Sequence, residues 1–342
     1  MTLLAPRRML VGGYTDERDD ETCPAGIVSI VHDPSAGSLR QQGQGLQVAS
    51  PSFLLAHPRQ PLVYAVNETD PGAVSAIGVG GRLEVLAQLP LAGQLPCHLC
   101  LSPDSGHLLV ANYGSGNVVA VRLGDDGIPR EVTGVFDSYG AGPHSRQGGP
   151  HAHHIVLGPD GTYWVVDLGA DVVRRLQISP EGTLKEGEPV VVLPAGTGPR
   201  QIRIGRGQQT AYVLGELSGE LITVALRPGR VGEIVNRRPA WLNEAPGANL
   251  PAHLLVVGDR LYVSHRGYDR ITVFTLEGDL PVPLEEIPTG AWPRHFVVAG
   301  GWLYTADQLD DQISAQPVTS AGQSRPAPLH SPVRRPSCIL LL

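Results

Sequence analysis

No stretch of this chain is apolar for long enough to cross a bilayer. No window repeats apolar residues at the spacing of an amphipathic helix either. The first absence removes a membrane-spanning helix, and the second removes the helical fold classes. Positive charge is short as well. The 26 Lys and Arg stand against 33 Asp and Glu, a net charge of −7, which is the wrong sign for a surface that holds nucleic acid. Cysteines number four: Cys23, Cys97, Cys100 and Cys338. Cys97-x-x-Cys100 has the outline of half a metal site, but no second pair completes it. Three residues along a strand point to opposite faces, so the two thiols would not share an ion. All four are read as packing cysteines, in a cytoplasmic protein. Met1 to Arg8 carries too few apolar residues before its two arginines to form a signal segment. No metal or other cofactor is expected.

What the chain does have is glycine and proline, 42 and 31 of them, the composition of an all-β protein full of tight turns. Seven times a short phrase recurs, a proline and two residues followed by an apolar run, with Ala152 in place of the proline in the third. It opens at Pro51-Ser52-Phe53, Pro96-Cys97-His98, Ala152-His153-His154, Pro199-Arg200-Gln201, Pro251-Ala252-His253, Pro293-Arg294-His295 and Pro336-Ser337-Cys338. Successive openings lie 45, 56, 47, 52, 42 and 43 residues apart. Repeats of this length made of four short strands are the units of a β-propeller. Such repeats bury their faces on one another, so one ring can use all 342 residues as a single domain, 1–342, with no linker.

The two ends are incomplete in complementary ways. Met9–Gly13, Gly26–Ile30 and Leu39–Val48 read as second, third and fourth strands with no first strand before them. Pro336–Leu341 reads as a first strand with nothing after it. The prediction is a seven-bladed β-propeller with four antiparallel strands per blade. Its N- and C-terminal strands share one blade, which leaves no open sheet edge.

Strand polarity places the chemistry. The start of a blade's first strand and the end of its second share one rim near the axis. His98, His153, His154, Arg200, Gln201, His253, Arg294 and His295 fall at first-strand starts. Tyr14, Asn67, Glu68, Asn112, Tyr113, Asp167, Glu216, His265, Arg266 and Asp307 fall at second-strand ends. Turns such as Gly158-Pro159-Asp160-Gly161 serve the other rim and collect no chemistry. Asn67, Asn112 and Asp167 read as residues that bond loop backbones. His153, Arg200 with Glu216, Arg266 and Arg294 come from four consecutive blades. The longest insertion, Val135 to Pro150, brings His144, Arg146 and Gln147 into that sector. Arginines around a cleft suit an anionic ligand, and a glutamate beside a histidine supplies an acid/base pair.

At these residues the chain resembles the lactonase family of seven-bladed propellers, the 6-phosphogluconolactonase-like and 3-carboxy-cis,cis-muconate lactonizing enzyme-like proteins. The marks are Val11-Gly12-Gly13-Tyr14-Thr15, Ser50-Pro51-Ser52-Phe53, Arg146-Gln147 before Pro150-His151-Ala152-His153, Gly198-Pro199-Arg200, Gly215-Glu216-Leu217, Ser264-His265-Arg266-Gly267 and Trp292-Pro293-Arg294-His295. The resemblance implies an active site built on the equivalents of His153, Arg200, Glu216 and Arg266. Arg294, His295, Gln147 and His151 are expected to bind substrate. Gln201, Gly215 and His265 depart from the residues common in the family.

The expected activity is hydrolysis of an anionic sugar lactone, 6-phosphogluconolactonase-like. Glu216 would be the base for water, Arg200 would meet the oxyanion or the substrate anion, Arg266 and Arg294 would bind the anion, and His153 would be the acid. A lactonizing isomerase acting on a carboxymuconate-type dicarboxylate, and a non-catalytic propeller scaffold, are the rival readings. The expected partner is a small-molecule anionic lactone, with neither nucleic acid nor membrane, and monomer and weak dimer both stay open.

Overall fold

The computed structural model describes residues 6–15, 26–227, 230–243, 247, 249–318 and 326–342; Cys23 lies outside them. The strands form seven antiparallel sheets, one for each proline phrase. Blade 1 has strands Leu54–Ala56, Leu62–Asn67, Ala73–Gly78 and Glu84–Pro90; blade 2 has Pro96–Leu101, His107–Asn112, Val118–Leu123 and Pro129–Phe136. Blade 3 has Ala152–Leu157, Tyr163–Asp167, Val172–Ile178 and Leu184–Glu186; blade 4 has Pro199–Ile204, Thr210–Gly215, Glu220–Ala225 and Glu233–Pro239. Blade 5 has Leu250–Val257, Arg260–Arg266, Arg270–Glu277 and Leu280–Pro288; blade 6 has Pro293–Ala299, Trp302–Asp307, Gln312–Pro317 and Leu329–Pro332. Blade 7 joins Pro336–Leu341 to Arg7–Gly13, Ile27–Asp33 and Ser38–Gln41.

Burial explains why these strands read as short apolar runs. Leu62–Asn67, His107–Asn112 and Tyr163–Asp167 are buried at every position, because each face of a second strand meets a neighbouring blade. The apolar clusters accordingly lie between blades. Tyr64, Val66 and Val74 of blade 1 pack on Leu99, Leu108 and Val119 of blade 2. Leu10, Ile27 and Cys338 of blade 7 pack on Leu54 and Val63 of blade 1. Outer strands face solvent on one side, and Glu233–Pro239 alternates exposed and half-buried along its length.

Two outer strands differ from the sequence expectation. The segment read as one strand, Leu39–Val48, is a strand only over Ser38–Gln41, followed by an isolated bridge from Leu46 to Ile27. Gly43, at φ +72°, turns the backbone out of the ladder between them. In blade 3 a further two-residue strand, Val191–Val192, pairs with Val172–Ile178 beyond Leu184–Glu186.

The closure is as expected, with Met9 opposite Leu341, Val11 opposite Ile339 and Gly12 opposite Cys338. A side chain at Gly12 would run into the Pro51 carbonyl oxygen, so the seam meets blade 1 at backbone distance. Removing residues 337–342 strips a first strand and the buried Cys338 and Ile339. The expected cost is at least about 4 kcal/mol, since losing one large buried aliphatic side chain already costs 2–5. A thermal melt checks it, and an unchanged melting temperature rejects the closure.

Candidate active site

A repeated irregularity aims the site. In blades 2, 3, 4, 6 and 7 the ladder between first and second strands slips by one residue just after the opening position. Cys97, His153, Arg200, Arg294 and Ser337 have no partner across it. Blade 5 slips between Pro251 and Leu254. An extra residue kinks a strand and re-aims its side chain, and proline, which cannot donate to a ladder, is tolerated at such places. The proline phrase is therefore the sequence mark of a bulge. All five of the unpaired residues line one cavity of about 40 Å³ at the axis, together with Ser52, Glu68, His98, His154, Gln201, His253 and His295.

On the wall built by blades 3 to 5, Glu216 is the hub. Its side chain is 2 % exposed and meets three guanidiniums: Arg146 Nη1 lies 2.5 Å from Oε1, and Arg200 Nε and Arg266 Nη2 each lie 2.9 Å from Oε2. The last two approach off the line of a hydrogen bond, so they act as ion pairs. Arg200 Nη1 donates to the Ala252 carbonyl. Arg266 Nε donates to the Leu250 carbonyl at 3.3 Å, with the Trp292 ring centroid 5.6 Å from its guanidinium carbon. Burial alone would push the Glu216 carboxyl up. The charges of Arg266, Arg200 and Arg146, joined by His153 once acid protonates that ring, outweigh it and hold the group well below the usual carboxylate range.

His153 stands half-buried beside this hub, its ring edge-on to Tyr113 with centroids 5.5 Å apart. Burial and the Arg200 charge, with Arg294 behind, outweigh the pull of Glu216 and hold its pKa well below 6.5. The ring is neutral at pH 7. Two expected roles change accordingly. Glu216 is ionised, as its arginines require, but both oxygens are engaged and its basicity is low. His153 must accept a proton before it can serve as the acid.

Two residues expected to bind substrate are turned to other tasks. Gln147 is 0 % exposed. Its Nε2 donates to the Leu168 carbonyl at 2.9 Å and to Asp171 Oδ1 at 2.8 Å, and its Oε1 accepts from the His144 backbone at 3.2 Å. It shapes the loop that carries Arg146. His151 stacks on Tyr113 at 4.5 Å, and its Nδ1 meets the Tyr113 carbonyl at 2.7 Å. Tyr113 in turn accepts a hydrogen bond from Arg146 Nη2 at 3.2 Å. Both residues support the site from behind.

The floor of the cavity is a set of imidazoles. His98 pairs with His154, and His253 with His295, each at 4.0 Å between centroids. Burial is the leading cause that keeps all four pKa values low, His295 down to about 3. Of the residues that depart from the family pattern, Gln201 lines this cavity. Gln201 Oε1 accepts from the Leu254 backbone at 2.6 Å. His265 is fastened to Asn249 and Thr272, each at 3.0 Å, behind the site. Asp167 does cap loop backbone, its Oδ1 accepting from His151, Gly169 and Ala170.

On the opposite wall, from blades 6, 7 and 1, Arg294 lies 5.0 Å from the Tyr14 ring centroid and makes no hydrogen bond or ion pair among the described residues. Tyr14 Oη donates to Glu68 Oε2 at 2.9 Å, and Ser52 Oγ donates to the same oxygen. Sequence reasoning put Tyr14 and Glu68 on the rim without separating them from its other polar residues. Cys97, read as packing only, also lines the cavity. Cys97, Cys100 and Cys338 are free thiols. No helix among the described residues is long and apolar enough to cross a membrane.

Comparison with known proteins gives the family and the fold. The family description "Lactonase, 7-bladed beta-propeller" matches residues 8–341. A 6-phosphogluconolactonase of Bacillus subtilis is 30% identical over 274 residues, covering 77% of this chain and 76% of that protein. A crystal structure of a putative 6-phosphogluconolactonase from Bacteroides fragilis superposes with a TM-score of 0.87 at 25% identity, over 100% of this chain and 99% of that one. A periplasmic gluconolactonase of Pseudomonas aeruginosa gives a TM-score of 0.87 at 25% identity, over 99% of each chain.

Proposed function

The chain belongs to the lactonase family of seven-bladed β-propellers, and from that premise we propose that it hydrolyses an anionic sugar lactone, with 6-phosphogluconolactone the first candidate. The observation that carries this reading is the cavity itself. Arg200 and Arg294 line it beside a neutral His153, and the buried Glu216 fixes Arg200, Arg266 and Arg146.

The chemistry follows from those states. His153 takes a proton from water as the water oxygen attacks the lactone carbonyl. The carbonyl oxygen becomes an oxyanion, which Arg200 stabilises. The ring C–O bond then breaks, and the imidazolium returns its proton to the ring oxygen. The product is the open hydroxy acid. Glu216 stabilises the transient imidazolium and holds the guanidiniums in place. Arg294, whose guanidinium makes no hydrogen bond or ion pair among the described residues, binds the substrate's anionic group. A reducing cytoplasm is part of the proposal, in keeping with the free thiols.

Arg294→Ala tests the anion assignment. It is expected to raise KM for a phosphorylated lactone roughly 10- to 100-fold, the loss of a charge-assisted hydrogen bond. KM for unphosphorylated gluconolactone should change less than about threefold. Equal losses on both substrates would make Arg294 a structural residue and remove the anion from the proposal.

A further inference from the structure

The wall facing the arginine hub holds a second carboxylate that the proposed chemistry leaves unused. Glu68 follows the second strand of blade 1 and lines the cavity with Ser52, Cys97, His153, Arg200 and Arg294. Its side chain is held by one oxygen only. Tyr14 Oη and Ser52 Oγ both donate to Oε2, while Oε1 receives no hydrogen bond among the described residues. The backbone is fixed as well, since Glu68 N donates to the Ser50 carbonyl at 3.0 Å. Two donors on one oxygen orient the carboxylate and leave the other oxygen as an acceptor on a wall that otherwise offers a guanidinium and a thiol.

We propose that Glu68 Oε1 accepts a hydrogen bond from a hydroxyl of the bound lactone, so that the site selects hydroxylated, sugar-derived acids over hydroxyl-poor polycarboxylates. The inference rests on the lactone hydrolase reading and names its substrate class more narrowly. The cavity then offers two unlike kinds of group. Guanidiniums of Arg200 and of Arg294, the latter on the same wall as Glu68, meet the anionic group and the developing oxyanion, and Glu68 meets neutral hydroxyl donors. A ligand carrying only carboxylates matches the guanidiniums and is repelled by Glu68, whereas a lactone bearing one anionic group and several hydroxyls satisfies both. Sites built to hydrogen-bond a hydroxyl discriminate against analogues that lack it, because the acceptor is left unpaired. Tyr14 and Ser52 are positioning residues in this arrangement, and blades 7 and 1 thereby contribute to specificity what blades 3 to 5 contribute to chemistry.

The test compares wild type with Glu68→Gln on the full chain. In the turnover arm, the expected result is a roughly 10- to 100-fold fall in kcat/KM for glucono-δ-lactone. Activity on δ-valerolactone, which has the same ring and no hydroxyls, should stay within about threefold. Equal falls on the two lactones would overturn the proposal, because a residue that only held Tyr14 and Ser52 in place would affect both. The binding arm does not depend on turnover. Calorimetric affinities for 6-phosphogluconate and for tricarballylate, one rich in hydroxyls and the other without them, are compared in both proteins. Wild type should prefer 6-phosphogluconate, and the substitution should shrink that preference at least tenfold. An unchanged ratio overturns the assignment of Glu68 even if the protein hydrolyses lactones. A shrunken ratio in a protein that hydrolyses neither lactone supports Glu68 as the hydroxyl acceptor and removes the hydrolase reading instead.

Discussion

His153→Gln lowers kcat for lactone hydrolysis by roughly 10² to 10⁴, the range for loss of general acid–base catalysis, and leaves the melting temperature within a degree or two. The ring makes no side-chain hydrogen bond among the described residues and is half-buried, so little folding energy goes with it. The wild-type pH profile carries a second signature. Because burial and Arg200 hold the His153 pKa well below 6.5, the ring is neutral, and competent as a base, through pH 7 and below 6.5. With spontaneous hydrolysis subtracted, kcat/KM should stay level from pH 8 to below 6.5 and fall only at more acid pH. The kcat profile should turn down at a higher pH than kcat/KM, because a bound anion offsets the Arg200 and Arg294 charges that depress the free enzyme's imidazole. An acid limb for kcat/KM at 6.5 or above would contradict the proposed field at His153.

Glu216→Gln has the second large effect, and it falls on stability as well as rate. The substitution keeps the shape but leaves Arg200 and Arg266, 9% and 7% exposed, without their counter-charge. Breaking a buried ion pair by removing one partner costs about 3–5 kcal/mol, a drop of roughly 4–7 °C in a protein of this size. Misplaced guanidiniums and an unsupported imidazolium should lower kcat roughly 100-fold, the scale of a 1 Å displacement in an active site. The pH dependence has a definite sign. The folded Glu216 carboxyl is depressed well below the usual range by Arg266, Arg200, His153 and Arg146 against the opposing effect of burial. Its contribution is therefore fully present above the unfolded value of about 4.3 and is lost as pH falls toward the folded value. Melting temperatures of wild type and variant should differ by a constant amount from pH 8 to 5 and converge only below about pH 4. Phosphate or sulfate should restore part of the variant's stability by binding the freed arginines. A variant as stable as wild type would show that the three ion pairs contribute nothing.

The ring was legible in the sequence because the proline phrase marks a structural necessity. A bulge must follow the opening residue if the next side chain is to reach the axis, and proline fits where the ladder is interrupted. Outer strands were less legible. Ser38–Gln41 is shorter than the apolar pattern from Leu39 to Val48 suggests, because a half-exposed edge strand is set by local turns such as that at Gly43. The grouping of His153, Arg200, Glu216 and Arg266 in one sector follows from strand order, and the structure places them together. Strand order does not say which way a loop side chain turns, and neither Gln147 nor His151 lines the axial cavity. Nor does it join Tyr14, Ser52 and Glu68, which come from two blades and meet only after the ring closes. Protonation states were the least legible, since the neutral His153 reflects burial and the summed charges of Arg200, Arg294 and Glu216, contributed by two other blades.

The most direct test of the central claim is a single comparison of turnover by the purified wild-type protein on 6-phosphogluconolactone, glucono-δ-lactone and a carboxymuconate, with products identified by NMR. Hydrolysis of the phosphorylated lactone to its open acid, at a kcat/KM at least tenfold above that for the neutral lactone and with no cyclisation of the carboxymuconate, is the predicted result. Cyclisation of the carboxymuconate with no hydrolysis of either lactone would contradict it.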